Sequence, residues 1–205
     1  PGKQFICALD QRKERPDTLN RISHLFVEEQ GKMTATGVAR PFLSSDTPFI
    51  GTQWKAVTRS FCEFVCHDPR ADRFKTFYRN SFIADEAFFQ TVIMNSGDQG
   101  IVMNDDLRMI DWVPDGDIKL RPRNYGEKDL DQLQQSPDLF ARKFDAEDDT
   151  AILSLLERHL QSPAANTYRI PAPAPRTPSY SNTVDMAFVD RPTRDDRVHP
   201  SSLTN

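Results

Sequence analysis

Two places in this 205-residue chain set charge against aromatic side chains in patterns that could do chemistry. In "FIADEAFFQTVIMNS" (82–96), the adjacent carboxylates Asp85 and Glu86 stand at the mouth of a strongly apolar segment. In "LFARKFD" (139–145), Arg142 and Lys143 lie between Phe140 and Phe144, an awkward sequence for a core but a good one for clamping an anion. Each has a plainer explanation. Acidic residues in a first helical turn meet the positive end of the macrodipole and stabilise it by ~0.3–1 kcal/mol, and adjacent basic residues are commonly surface ion-pair partners. Tryptophans stand beside polar groups in "GTQW" (51–54) and "IDW" (110–112), where an indole face either anchors a core or packs on a flat ligand.

Two further groupings have metal-ligand spacing. Cys62 and Cys66 in "SFCEFVCH" would share a helical face and His67 follows them, but no fourth ligand is visible and the cysteines read as small buried thiols. The triplet "DGD" (115–117) has oxygen ligands at D-x-D spacing, yet beside Pro114 it reads as a turn. Arg121 and Arg123 in "LRPRNYG" read as charges on a solvated loop.

These side chains need elements to hold them. "FICALD" reads as a short strand, and "LNRISHLFVEEQ" as a helix with Leu19, Ile22, Leu25 and Phe26 on one stripe. A Pro-rich loop leads to "GTQWKAVT", read as a short buried strand. "RSFCEFVCHD" is a helix stopped by Pro69, and "RADRFKTFYRNSF" is a second, with Phe74, Phe77 and Tyr78 in the core. "DEAFFQTVIMNS" is a third, ended by Asn95 and Gly97, with Phe88, Phe89, Val92 and Ile93 expected on its buried side, packed on the strand of Trp54. "LRMIDWV" then reads as a strand, "EKDLDQLQQS" as a short helix and "DDTAILSLLERHL" as the closing helix. The class is α/β without internal repeats.

Composition narrows the function classes. A formal charge of −4 and a pI near 5.6 provide no general attraction to nucleic acid or anionic membrane. No apolar run reaches the roughly 20 residues of a bilayer span, and "PGKQFICALD" has no signal-peptide pattern. Three cysteines do not make a disulfide framework. From residue 162 onward the chain is dense in Pro, Ser, Thr, Asn and Asp without an apolar period, so residues 1–161 are expected to fold and 162–205 to form a disordered tail.

The order G-T-Q-W, R-S-F-x-E-F-V, E-x-F-F-x-T-V-x-x-N-S, I-D-W and F-A-R-K-F-D, running through roughly Phe5 to Leu160, resembles the core-2/I-branching enzyme family. This is glycosyltransferase family 14, which holds β-1,6-N-acetylglucosaminyltransferases and peptide O-xylosyltransferases; "RSFCEFV", "EAFFQTVIMNS" and "FARKFD" look closest to the xylosyltransferase branch. The resemblance implies the C-terminal, acceptor-side part of a variant GT-A fold. It also implies inverting transfer of xylose or N-acetylglucosamine from a UDP-sugar to a glycan or protein hydroxyl, with no metal cofactor. Glu86 matches the family's catalytic base, and an apolar setting would tune it. Arg142 and Lys143 match the basic pair on the diphosphate. Trp54, Trp112 and Gln53 fall at acceptor-cleft positions, although Gln53 stands where the xylosyltransferase branch has Asp.

Family members carry a preceding segment that binds much of the uracil and ribose, so the chain is expected to be one part of a catalytic domain. The alternative reading is a non-catalytic remnant that binds a glycan or protein. Location follows from the resemblance: the Golgi membrane, facing the lumen, for a eukaryotic source, and the cytoplasm for a bacterial one.

Overall fold

Phe61, Phe64 and Val65 recur at helical spacing, and Thr58 closes the start of their helix by accepting from the Phe61 amide at 3.2 Å. The result is α3 (Arg59–His67) in a computed structural model that describes residues 2–116 and 120–162. The remaining elements are β1 (Lys3–Ile6), β2 (Leu9–Asp10), α1 (Gln11–Glu14), α2 (Asn20–Ser23), β3 (His24–Glu29), β4 (Lys32–Ala39), β5 (Phe49–Ile50) and β6 (Lys55–Ala56) before it. After it come α4 (Asp72–Tyr78), α5 (Phe88–Ser96), β7 (Ile101–Val102), β8 (Arg108–Ile110) and β9 (Trp112–Pro114). The described chain then continues through β10 (Leu120–Pro122), α6 (Leu130–Gln135), β11 (Phe140–Arg142) and α7 (Ala151–Leu160). The expected tail, beyond Ser162, and Asp117 of the D-x-D triplet lie outside the described residues.

The α/β class holds, as small sheets among helices. β1 is the middle strand of β6-β1-β7, antiparallel to β6 and parallel to β7; β2 pairs with β5, β3 with β4, β8 with β11 and β9 with β10. One core joins Ile6, Ile50, Phe61, Phe74, Tyr78 and Val92, all with little or no exposure.

Several expectations change. Only Asn20–Ser23 of "LNRISHLFVEEQ" is helical, because His24–Glu29 pairs with β4 across a two-residue turn. Gln30 and Gly31 both have positive φ there (52° and 74°), the backbone that a tight hairpin demands. "GTQWKAVT" is not one buried strand either. Gly51–Trp54 is a loop between β5 and β6, and Trp54 is 38% exposed. Gly51 lies so close to the neighbouring chain that an added Cβ would sit 1.9 Å from the Cys7 carbonyl oxygen.

Helix α5 packs on β5 rather than on a strand bearing Trp54. It buries Gln90, Thr91, Val92 and Ile93, while Phe88 and Phe89 are only partly covered. The polar pair has bonds to make. Gln90 donates to the Thr52 carbonyl at 2.8 Å, and the Thr91 hydroxyl lies 3.1 Å from the Phe49 carbonyl and 2.8 Å from the Tyr78 hydroxyl. Cys62 and Cys66 are exposed, since Phe61, Phe64 and Val65 occupy the buried face of α3. The buried thiol is Cys7, pushed up to about 12 by desolvation and then by the charges of nearby carboxylates.

Candidate functional site

Glu86 ends a 3-10 turn, Ala84–Glu86, that follows Ile83 in left-handed backbone (φ 51°). Helix α5 begins only at Phe88, so neither Asp85 nor Glu86 belongs to its first turn. The apolar setting expected for Glu86 is replaced by an ion pair: its Oε2 accepts from Arg21 Nη1 at 2.8 Å, and its side chain is 27% exposed. The Glu86 main-chain carbonyl accepts from the Gly51 amide, also at 2.8 Å. That bond fixes the first residue of the Gly51–Trp54 loop to the carboxylate turn.

Lys55 reinforces the junction. Its ammonium donates to the carbonyls of Gln53 (2.7 Å) and Asp85 (3.2 Å) and lies 4.7 Å from the centre of the Phe89 ring. Burial lowers its pKa, and the charges of Asp85 and Glu86 oppose that shift.

The far end of the loop meets the cations. The Arg108 guanidinium lies 3.9 Å from the centre of the Trp54 ring and that of Arg142 lies 5.6 Å from it. The parallel pairing of β8 and β11 sets Phe140 opposite Arg108 and Arg142 opposite Ile110, which brings both arginines to one ladder. Phe140 adds a second ring, 5.0 Å from Arg108. Below them the Thr52 hydroxyl lies 2.7 Å from Asp106 Oδ2 and 3.1 Å from the Trp54 carbonyl. Burial raises the Asp106 pKa, with the Thr52 bond opposing.

The structure thus connects Glu86, the Gly51–Trp54 loop and Arg142, three pieces separated in sequence. Lys143 follows Arg142 directly and is exposed; its carbonyl accepts from the Tyr125 amide at 2.8 Å. Gln53 is exposed on the connecting loop. Trp112 stands apart on β9 opposite Pro122, with no ring contact or hydrogen bond to Trp54 or Glu86 among the described residues. Arg123 is not a loose loop charge: it binds Asp111 at 2.8 Å and Asp129 at 2.9 Å. Asp115 pairs loosely with Arg121 at 3.9 Å.

Sequence reasoning missed Arg21, Lys55 and Arg108. Lys55 adjoins "GTQW" and Arg108 stands four residues before Trp112, so proximity to the tryptophans was the available signal. Arg21 is 65 positions from Glu86 and had none. It also lines a cavity of about 150 Å³ with Asp17, His24, Phe26 and Phe82.

A carboxylate and a group of cations are thus held at the two ends of one loop in an α/β domain. The Core-2/I-Branching enzyme family model matches residues 10–134, and the chain belongs to that family. Xylosyltransferase 2 of Mus musculus is 30% identical over 125 residues, 54% of this chain and 14% of that protein. Xylosyltransferase 1 of Mus musculus is 28% identical over 145 residues, 63% of this chain and 15% of its own length. The chain therefore matches about one seventh of these relatives. Arg142 and Lys143 lie beyond the residues that the family model matches.

Proposed function

We propose that this chain supplies the acceptor side of an inverting glycosyltransferase of variant GT-A architecture, acting on a UDP-sugar. The observation that carries the reading is the Gly51–Trp54 loop, bonded at its first amide to Glu86 and bearing at its last residue an indole beside Arg142. Family membership and the similarity to two xylosyltransferases support transfer of a sugar, xylose among the candidates.

In this mechanism Glu86 takes the proton from an acceptor hydroxyl. The hydroxyl oxygen then forms its bond to the anomeric carbon as the bond from that carbon to the UDP oxygen breaks on the opposite face. Arg21 holds one carboxylate oxygen and leaves the other for the hydroxyl. Charge that accumulates on the departing diphosphate is met by Arg142 and Lys143, fixed cations in the role that a divalent metal fills elsewhere. Gln53 and Trp54 offer the adjoining surface to a glycan or protein acceptor.

The assay is transfer from UDP-xylose and UDP-N-acetylglucosamine to serine peptides and glycans, in the longest natural form of the chain. Activity is expected to persist in EDTA. Glu86→Gln is expected to lower turnover by roughly 10²–10⁴ while UDP still binds, and Lys143→Ala to weaken both UDP binding and turnover. Activity lost in EDTA, restored by Mn²⁺ and abolished by Asp115→Asn would overturn the assignment in favour of the D-x-D triplet. Full activity in Glu86→Gln would remove the base.

A further inference from the structure

Among the described residues, partly buried arginines have hydrogen-bond or ion-pair partners, with two exceptions. Arg15 meets Asp17 at 2.9 Å, Arg21 meets Glu86 at 2.8 Å and Arg123 meets Asp111 at 2.8 Å. Arg40 donates to the carbonyls of Phe77 and Asn80 and to the Ser81 hydroxyl. Arg108 and Arg142 are also partly buried, yet among the described residues neither guanidinium has a hydrogen bond or a carboxylate within 4.0 Å. Instead both lean on Trp54, and the Nε of Arg108 is buried without an acceptor.

Two guanidiniums on one indole repel each other, and aromatic faces do not neutralise them. Burial pulls the Arg108 pKa down; the charge of Asp106 opposes that shift, and the smaller influence of Arg142 adds to it. An anion arriving from outside would relieve the repulsion and use the forked donors of both side chains.

We propose that Arg108 and Arg142 form a two-guanidinium seat for the diphosphate of a nucleotide, with Trp54 as its floor and Arg108 as a binding residue in its own right. The proposal rests on the UDP-sugar reading and adds a residue to it. The strand pair fixes the spacing: Arg108 begins β8, Arg142 ends β11, and the ladder between them is parallel. Phe140 and Trp54 cover the Arg108 side chain from two rings, which limits the conformations it can adopt before an anion binds.

The test uses inorganic pyrophosphate and UDP as probes, titrated calorimetrically against the chain and its variants at low and moderate salt. Both probes are expected to bind, more weakly as salt rises. Arg108→Gln and Arg142→Gln are each expected to weaken pyrophosphate roughly 10–100-fold, the loss expected for hydrogen bonds to a charged group. Arg59→Gln, at a fully solvated arginine, is expected to change nothing. Pyrophosphate binding unchanged in Arg108→Gln but weakened in Arg142→Gln would overturn the role of Arg108 and leave the UDP-sugar reading standing. No binding of either probe by the unaltered chain would overturn both. Should Arg108→Gln fail to fold, Arg108→Lys decides: weaker pyrophosphate binding at an unchanged melting midpoint supports the seat, and unchanged binding overturns it.

Discussion

Residues before about 107 and those after it are held by different physics. The first region buries an aromatic and aliphatic core in which Ile6, Phe74 and Val92 are fully covered. The second has short two-stranded ladders whose exposed or half-covered residues leave, among the described residues, Leu107, Tyr125 and Ile152 as its buried hydrophobic side chains. Polar contacts take over there. Arg123 ties Asp111 to Asp129, and Asp149 accepts from the Glu127, Ala151 and Ile152 amides at 2.8–3.1 Å. The candidate site straddles the seam, with Glu86 and the Gly51–Trp54 loop from the core region and Arg108 and Arg142 from the polar one. A rigid frame supplies the carboxylate, while a charge-dependent one supplies the cations.

The sharpest way to break this contrast is to truncate apolar side chains in each region. Phe74→Ala removes a side chain with no exposure and is expected to cost ~3–5 kcal/mol in chemical denaturation. Phe89→Ala should cost less than a full-burial estimate, because that ring is only partly covered. Leu153→Ala in α7, where the side chain is 41% exposed, should cost under ~1 kcal/mol. Comparable losses at positions 74 and 153 would erase the distinction between the two regions.

Next in size is the ion-pair hub. Arg123→Met should destabilise by ~1–3 kcal/mol, since it leaves Asp129 with 9% side-chain exposure and only its Gly126 amide bond. The bond from Arg123 holds the Asp129 pKa below the ordinary carboxylate value. A lowered folded-state pKa contributes stability that is complete above the unfolded value of ~3.9 and fades as pH falls through the depressed one. The gap between the natural chain and Arg123→Met should therefore shrink below about pH 3.9. A gap that is flat with pH would assign Arg123 to packing on Tyr125, 5.0 Å away, rather than to charge.

What was legible beforehand follows the same division. α3, α4, α5 and α7 carry apolar residues at helical spacing, and each stands close to its expected place. "LNRISHLFVEEQ" misled because Leu19, Ile22 and Phe26 satisfy a helical stripe by number, whereas the Gln30-Gly31 turn and the partner strand decide its end. Of the site, the residue types of Glu86, Trp54 and Arg142 were visible. The Arg21 bond was not, because a contact across 65 positions leaves no local periodicity. Arg108 was hidden for another reason: nothing in "LRMIDWV" distinguishes a lone arginine stacked on a tryptophan from one in solvent.

The smallest expected effect lies on the seam itself. Asp106 is partly buried, bonded to Thr52 and placed two residues before Arg108, so two readings compete: it anchors the cation, or it is a desolvated acid that the fold tolerates. Burial is the largest influence on its pKa and raises it; the charge of Asp105 adds to the rise, while the Thr52 bond and the charge of Arg108 reduce it. A raised folded-state pKa contributes stability that is present below the unfolded value and lost as pH rises through the folded one, so at pH 7 the ionised carboxylate costs more than it gains. Asp106→Asn keeps an oxygen for the Thr52 hydroxyl and removes that charge. Its melting midpoint should rise at pH 7, by less than ~1 kcal/mol of stability, and return to that of the natural chain below about pH 4. If the midpoint falls at pH 7 instead, attraction between Asp106 and Arg108 outweighs desolvation. Arg108 would then have an internal counterion after all, and both the contrast between the regions and the case for an external anion would weaken together.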